Sequence, residues 1–221
     1  MNRHLLICLI PLLLTSCRTP SLPVPIEVAR VQTAYEAARL MAFEARLSVV
    51  FEFRPHWWRS AVQVAALGHV MVNPRTGDYS LVCFSPSGQL LFEVTRTNGQ
   101  ATARIEIPLT GDKQESEKLL SEDIGRFYFD LAPAPGATIS QKDRYLVFRN
   151  SPGKDWSEYE YDIVTTRLVR KVICHDGECI TLAFEDYQHY PSGYYPSVMK
   201  LTNHKNRYTL TLQNLSLRPA R

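Results

Sequence analysis

Long apolar runs are scarce in this 221-residue chain. The longest, Leu5 to Leu14, covers about ten residues, half of what a membrane-spanning helix needs, which excludes a multispan membrane protein. Charge of one sign is scarce too: 25 Lys and Arg against 22 Asp and Glu leave a net +3, too little to specify a nucleic-acid partner. Glycine is sparse at 10 residues, so a collagen-like or glycine-rich low-complexity chain is excluded. None of the 6 histidines sits in a Gly-x-Ser-x-Gly or His-Glu-x-x-His frame, so the common hydrolase and metalloprotease signatures are missing. What remains is a folded chain of ordinary composition, one domain by length. A domain of this size buries roughly 70–75% of its unfolded surface and needs no disulfide staples.

The 5 cysteines are not alike. Asn2 and Arg3 form a short basic start, and Leu5–Leu14 follows with only Pro11 as an interruption. That is the shape of a secretory signal. Leu14-Thr15-Ser16-Cys17 then resembles the bacterial lipobox, in which the cysteine thiol is diacylated, the leader is cut before it and the new amino terminus is acylated. The expected division is therefore a signal peptide over 1–16, a lipidated Cys17 with a proline-rich tether over 17–25, and a folded domain over 26–221. Cys8 leaves with the leader. Several acyl chains anchor far more firmly than one. Arg18 follows the cysteine where many Gram-negative bacteria place Asp for inner-membrane retention, so the expected destination is the outer membrane, facing the periplasm.

Pro20, Pro23 and Pro25 cannot sit in a helix and make the tether semi-extended. From Ile26 to about Phe43 the apolar positions Val28, Val31, Tyr35, Ala38 and Met41 recur at helical spacing. Strands then dominate. Leu47–Phe53, Ala61–Val72, Tyr79–Phe84, Leu90–Val94 and Ala103–Ile107 are separated by short turns such as Pro74–Gly77, Ser85–Gly88 and Thr97–Gly99, the pattern of antiparallel hairpins. Asp112 to about Phe129 reads as a second helix with Leu119, Leu120, Ile124 and Phe127 on its apolar face. Beyond the loop Leu131–Gly136 the strands resume over Tyr145–Phe148, Tyr159–Val164, Leu168–Cys174, Cys179–Phe184, Ser197–Leu201 and Tyr208–Leu212. The expectation is a mainly β, α+β chain: a single antiparallel sheet of about eleven strands with helices covering one face. Ile180, Leu182 and Phe184 share one face, as do Leu210 and Leu212. Periodicity alone does not separate a packed core from a ligand cavity.

The order of lipobox, tether, helix, hairpins, mid-chain helix and further hairpins resembles the LolA/LolB family of bacterial lipoprotein carriers and outer-membrane receptors, with the lipobox closest to the receptor side. Asp78–Gly88 resembles the family's strand ending in a Pro-Leu-Gly turn. Asp123-Ile124-Gly125 lies where the family has its central helix. Phe184–Tyr187, Tyr195–Leu201 and Leu210–Leu212 resemble the end of its fold. The resemblance covers roughly residues 27–217. It implies a half-barrel whose apolar interior receives acyl chains, with no metal, cofactor or catalytic residue. It implies lipoproteins and a periplasmic carrier as partners, and contact with the membrane through Cys17. On that fold the interior positions are Leu81, Leu90, Phe92, Leu120, Ile124, Ile180, Leu182, Phe184, Leu201, Leu210 and Leu212. The family turn that pushes lipoproteins into the membrane corresponds to Pro86-Ser87-Gly88, where Ser87 stands in place of a protruding Leu. A second class of function, an envelope interaction scaffold or sensor, uses the same fold with the cavity packed shut.

Cys174-His175-Asp176-Gly177-Glu178-Cys179 is a hairpin turn flanked by two thiols. In an oxidising envelope these favour a disulfide; free thiols and a metal or redox site built with His175 and Asp176 are the other readings. Cys83, within a strand, reads as a buried thiol. Trp57-Trp58 is either a membrane-interface pair or a packed aromatic pair. Tyr187, Tyr190, Tyr194 and Tyr195, with Pro191 and Pro196, form either a cavity mouth or an ordered loop.

Overall fold

A computed structural model describes residues 30, 42–54, 60–106, 112–151, 153–190 and 193–220. The leader, Cys17 with its tether, most of the expected helix over 26–43, Trp57-Trp58 and Pro191 lie outside them. Among the described residues the chain forms β1 (Phe43–Phe53), β2 (Val62–Asn73), β3 (Asp78–Phe84), β4 (Leu90–Thr97), β5 (Gln100–Ile105), α1 (Lys113–Tyr128), β6 (Thr138–Lys142), β7 (Tyr145–Asn150), β8 (Trp156–Asp162), β9 (Leu168–His175), β10 (Glu178–Tyr190), β11 (Gly193–Asn203) and β12 (Tyr208–Pro219). All twelve strands belong to one sheet, in the order β5-β4-β3-β2-β1-β12-β11-β10-β9-β8-β7-β6. Every pairing is antiparallel, and every one but β1 with β12 joins strands consecutive in the chain. Short turns make this the simplest route: Asn98-Gly99 and Asp176-Gly177 both take positive φ at each central residue, the conformation that matches strand twist in two-residue hairpins.

Twelve strands exceed the expected eleven because β6 is an edge strand exposed along its whole length. Thr-Ile-Ser-Gln-Lys carries no alternating apolar face and so no periodic signal. Glu44 lies on β1 and pairs with Arg218 at 2.6 Å.

Alternation sets the core. In β2, Val64, Ala66, Val70 and Val72 point inward while Leu67, His69 and Met71 point outward. Gly68 lies on the inward face opposite Cys83, and a Cβ there would come within 2.9 Å of the Cys83 sulfur. The thiol fills the space the glycine leaves. Burial also pushes the Cys83 pKa far up, which keeps it an unreactive thiol.

α1 joins the two outer edges, β5 and β6, so it crosses back over one face of the sheet and packs on β4, β5 and β11. Open sheets of more than ~10 strands curl, and the inward face here is the one that receives α1. Asp112 caps the helix, its carboxylate accepting from the Glu115 amide at 2.9 Å. Leu120, Ile124 and Phe127 are buried as the periodicity predicts. Fully buried Asp123 docks the helix: it accepts from the Tyr208 hydroxyl and, at 3.4 Å, from the Asn203 amide, and it pairs with Arg126. The Tyr79 hydroxyl adds a bond to the Ser121 carbonyl at 2.6 Å.

Candidate functional site

The end of α1 leaves space against the sheet. Phe127 and Tyr128, with Leu131 beyond the helix, form one wall of a cavity of about 330 Å³. Tyr161 of β8, Leu168 of β9, Phe184 and Tyr187 of β10, Tyr195, Pro196 and Met199 of β11, Leu217 of β12 and Phe43 of β1 form the rest. The volume lies at the lower end of the ~300–1,000 Å³ range of small-molecule pockets, and the lining is chiefly aromatic and aliphatic.

Two irregularities in the sheet make this lining. Phe184 and Tyr187 both face the cavity although residues three apart point to opposite sides of a regular strand. Between them Asp186 takes φ +50°, and the Ser197 hydroxyl donates to its carbonyl at 2.7 Å. Asn214 and Leu217 repeat the pattern on β12. There the register with β1 shifts between Arg46 and Leu47, and Leu215 is expelled to solvent at 57% exposure. The β12 bulge re-aims side chains, and the positive φ at Asp186 does the same while the β10–β11 ladder stays in register.

The rim is polar. The turn from β8 to β9 is organised by Asp162, whose Oδ1 accepts from the Val164 amide at 3.0 Å, the Thr165 amide at 2.9 Å and the Thr165 hydroxyl at 3.1 Å. Its carboxylate also pairs with Arg144. Burial alone would raise the Asp162 pKa, but the bonds from Thr165 and Arg144 outweigh it and hold the carboxyl below its usual range. The turn brings Thr165, Thr166 and Arg167 to the cavity. The Arg167 guanidinium lies 4.1 Å from the centre of the Tyr194 ring and 5.3 Å from that of Tyr187. The Tyr187 hydroxyl donates to the Leu168 carbonyl at 2.7 Å. Burial raises the Tyr187 pKa, with the Arg167 cation opposing.

Two buried polar atoms of lining residues, the Tyr128 hydroxyl and Asn214 Oδ1, have no hydrogen-bond partner among the described residues. Asn214 donates to the Pro196 carbonyl at 2.7 Å, which fixes its orientation and leaves its buried Oδ1 without a donor. A ligand hydroxyl or amide N–H would satisfy it. Chemically, the cavity can hold an alkyl chain by dispersion and desolvation. The lining brings together no nucleophile with an adjacent base.

Among the interior positions expected from the resemblance, Phe184 lines this cavity. Phe92 and Leu120 border a separate crevice of about 20 Å³ beside β4 and β5. Leu81, Ile124, Leu182, Leu201, Leu210 and Leu212 are fully buried in the packed core. Ile180 packs half-buried against that core, and Leu90 is half-buried at the start of β4. Pro86-Ser87-Gly88 forms the exposed tip of the β3–β4 hairpin. There the Ser85 and Ser87 hydroxyls lie 2.8 Å apart, Ser85 Oγ accepts from the Gln89 amide at 3.1 Å, and Gly88 takes φ +85°. Cys174 and Cys179 face each other across the β9–β10 hairpin and are joined by a disulfide. The bond consumes the thiolates that a metal site would need. Cys17 lies outside the described residues.

Tyrosine clustering was the sequence signal closest to this site. Tyr187, Tyr194 and Tyr195 line it, but on strands rather than a loop, because β10 continues to Tyr190 and β11 begins at Gly193. Arg167 and Leu217 carried no signal, since they enter the lining through the turn and the β12 bulge; Leu168 and Met199 lie on strands read from the sequence but were not singled out as interior positions.

Neither a family model nor a curated protein sequence matches the chain. Solved structures do. A LolA superfamily protein from Nitrosomonas europaea is 10% identical, the match covering 86% of this chain and 94% of that one with a TM-score of 0.59. A domain provisionally described as an outer membrane lipoprotein-sorting protein, from Vibrio parahaemolyticus, is 12% identical, covering 86% of this chain and 91% of that one with a TM-score of 0.49. The first likeness shows a shared fold: mainly β, one open antiparallel sheet with a helix against it.

Proposed function

We propose that the chain is a non-enzymatic bacterial envelope lipoprotein, anchored to the outer membrane through Cys17 and facing the periplasm, that holds acyl chains or lipoproteins in its half-barrel cavity. The observation that carries this reading is the apolar cavity of about 330 Å³ between the end of α1 and strands β8 to β12. An acyl chain needs only dispersion contacts and a dry surface, and each buried methylene contributes about 0.8 kcal/mol. Cavity size, lining and the LolA superfamily fold support the same chemistry. The β3–β4 tip presents the hydroxyl of Ser87 within 2.8 Å of Ser85, where the family turn implies a protruding Leu. The role is therefore binding and retention, without the insertion step that the family turn implies.

The test is native mass spectrometry of the full chain purified from bacterial membranes, followed by titration with palmitate. Co-purified acyl lipid or palmitate uptake is expected, with loss of both in Leu217→Trp, which fills the cavity. A protein that carries no lipid and takes up no palmitate would overturn the reading.

A further inference from the structure

We propose that the cavity selects amphiphiles with an anionic headgroup, carboxylate or phosphate, and that Arg167 is the group that binds that headgroup at the rim. This rests on the acyl-binding reading and adds the headgroup chemistry to it.

Arg167 differs from Arg144 of the β6–β7 turn and Arg170 of β9, each of which has an acidic partner. Arg144 pairs with Asp162, and Arg170 pairs with Glu160 at 2.8 Å. Arg167, half-buried on the lining of the apolar cavity, makes no ion pair among the described residues; its side-chain partners are the rings of Tyr187 and Tyr194. A guanidinium resting on rings uses its face and leaves its in-plane N–H donors free. Those donors form a planar fork that matches a carboxylate or phosphate in two-point fashion. The threonine hydroxyls of the rim are spent: that of Thr165 bonds Asp162 and that of Thr166 bonds the Thr165 carbonyl at 2.7 Å. Asp162, the nearest acid along the chain, is committed to its own turn and to Arg144. The rim thus holds one cation without a counterion.

The cation is also held in place before any ligand arrives. The Arg167 carbonyl accepts from the Asp162 amide at 2.9 Å, Thr166 takes φ +57°, and the two rings limit the rotamers of the side chain. Such preorganisation removes part of the ordering cost of binding. A headgroup at Arg167 lets the alkyl chain run inward past Tyr195 and Met199 toward Leu217. A neutral headgroup would leave the fork unpaired beside apolar surface, which is unfavourable.

The experiment titrates the full chain, in a neutral short-chain detergent, with palmitate, palmitoyl lysophosphatidate, monopalmitoyl glycerol and inorganic phosphate, read by native mass spectrometry. Both anionic amphiphiles are expected to bind at least about tenfold more tightly than the glycerol ester, the factor expected from one charge-assisted hydrogen-bonded pair. Preference for one of them identifies the headgroup as carboxylate or phosphate. Arg167→Gln is expected to abolish the preference, so that the anionic amphiphiles and monopalmitoyl glycerol bind that variant with equal affinity, and Arg167→Lys to retain part of it. Equal affinity of charged and neutral amphiphiles, or a preference that survives in Arg167→Gln, overturns this proposal and leaves acyl binding standing. Binding of none of the amphiphiles overturns acyl binding itself. Inorganic phosphate binding as tightly as the amphiphiles would overturn the link between Arg167 and the cavity. Circular dichroism of each variant confirms folding, and retained binding of the glycerol ester shows that the cavity is intact.

Discussion

Replacing Asp123 with alanine should undock α1. The carboxylate is fully buried and serves three partners at once: the Tyr208 hydroxyl on β12, the Asn203 amide on β11 and Arg126 one turn along the helix. Truncation strands all three. Breaking a buried charged pair by removing one partner costs about 3–5 kcal/mol, because the other groups lose their compensation in a low-dielectric site. Arg126 retains Glu122 at 3.7 Å and is a quarter exposed, so the lower end, about 3 kcal/mol, is expected. With a urea m-value of about 3 kcal/mol/M for a domain of this size, the unfolding midpoint should fall by about 1 M. Asp123→Asn keeps the shape and an acceptor for Tyr208 and should lose roughly half as much. Hydrogen exchange separates two routes: helix amides alone lose protection if α1 lifts locally, whereas the whole sheet loses it if the lock belongs to the global transition. A midpoint within about 0.2 M of wild type, with native circular dichroism, would refute the role assigned to Asp123.

Two further outcomes follow from buried groups elsewhere. Lys171 is buried, donates to the Asp130 carbonyl at 2.6 Å, and has its pKa lowered from 10.5 to about 8 by burial, with the charge of Asp130 opposing and that of Arg126 adding to the effect. Its folded pKa lies below its unfolded one, so the penalty is full below about pH 8 and fades as pH rises toward 10.5. At about 1.4 kcal/mol per pH unit the penalty is up to about 3 kcal/mol. Lys171→Met should raise the melting temperature at pH 7 and flatten the gain in stability between pH 8 and 9.5; an unchanged pH slope would contradict this. Gly68→Ala should cost about 1–3 kcal/mol by overpacking against Cys83. The double change with Cys83→Ala should recover most of it in a thermodynamic cycle, and strict additivity of the two changes would count against the contact.

Much of the fold was legible because it rests on local rules. Alternating faces and turn residues such as Asn98-Gly99 and Asp176-Gly177 placed eleven of the strands, and 3.6-residue periodicity placed α1 within a residue or two. β6 escaped because an exposed edge strand needs no apolar face. The inward-facing residues were legible as a set, but not their division into core and cavity. Leu182 and Phe184 alternate identically; only the position of α1 decides that Leu182 is covered and Phe184 is left facing space. The rim was the least legible part. Arg167 owes its place to a turn held by Asp162, Tyr187 to the positive φ at Asp186 and Leu217 to the β12 bulge, and the last two break the period by which inward positions are recognised.

The pairing of β1 with β12 has a consequence for how the chain must be made. Each other ladder closes between strands that follow one another in the chain with no helix between them, so it can zip as the residues emerge. The β1–β12 ladder joins Phe43 to Pro219 and waits for nearly the entire polypeptide. Until β12 arrives, β1 presents a bare row of amides and carbonyls beside the alternating apolar side chains of Ala45, Leu47, Val49 and Phe51. Such an edge recruits strands from other molecules. The vulnerable period of this protein is therefore the interval between the appearance of its first strand and its last, and aggregation during production should track the delay in delivering residues 208–219.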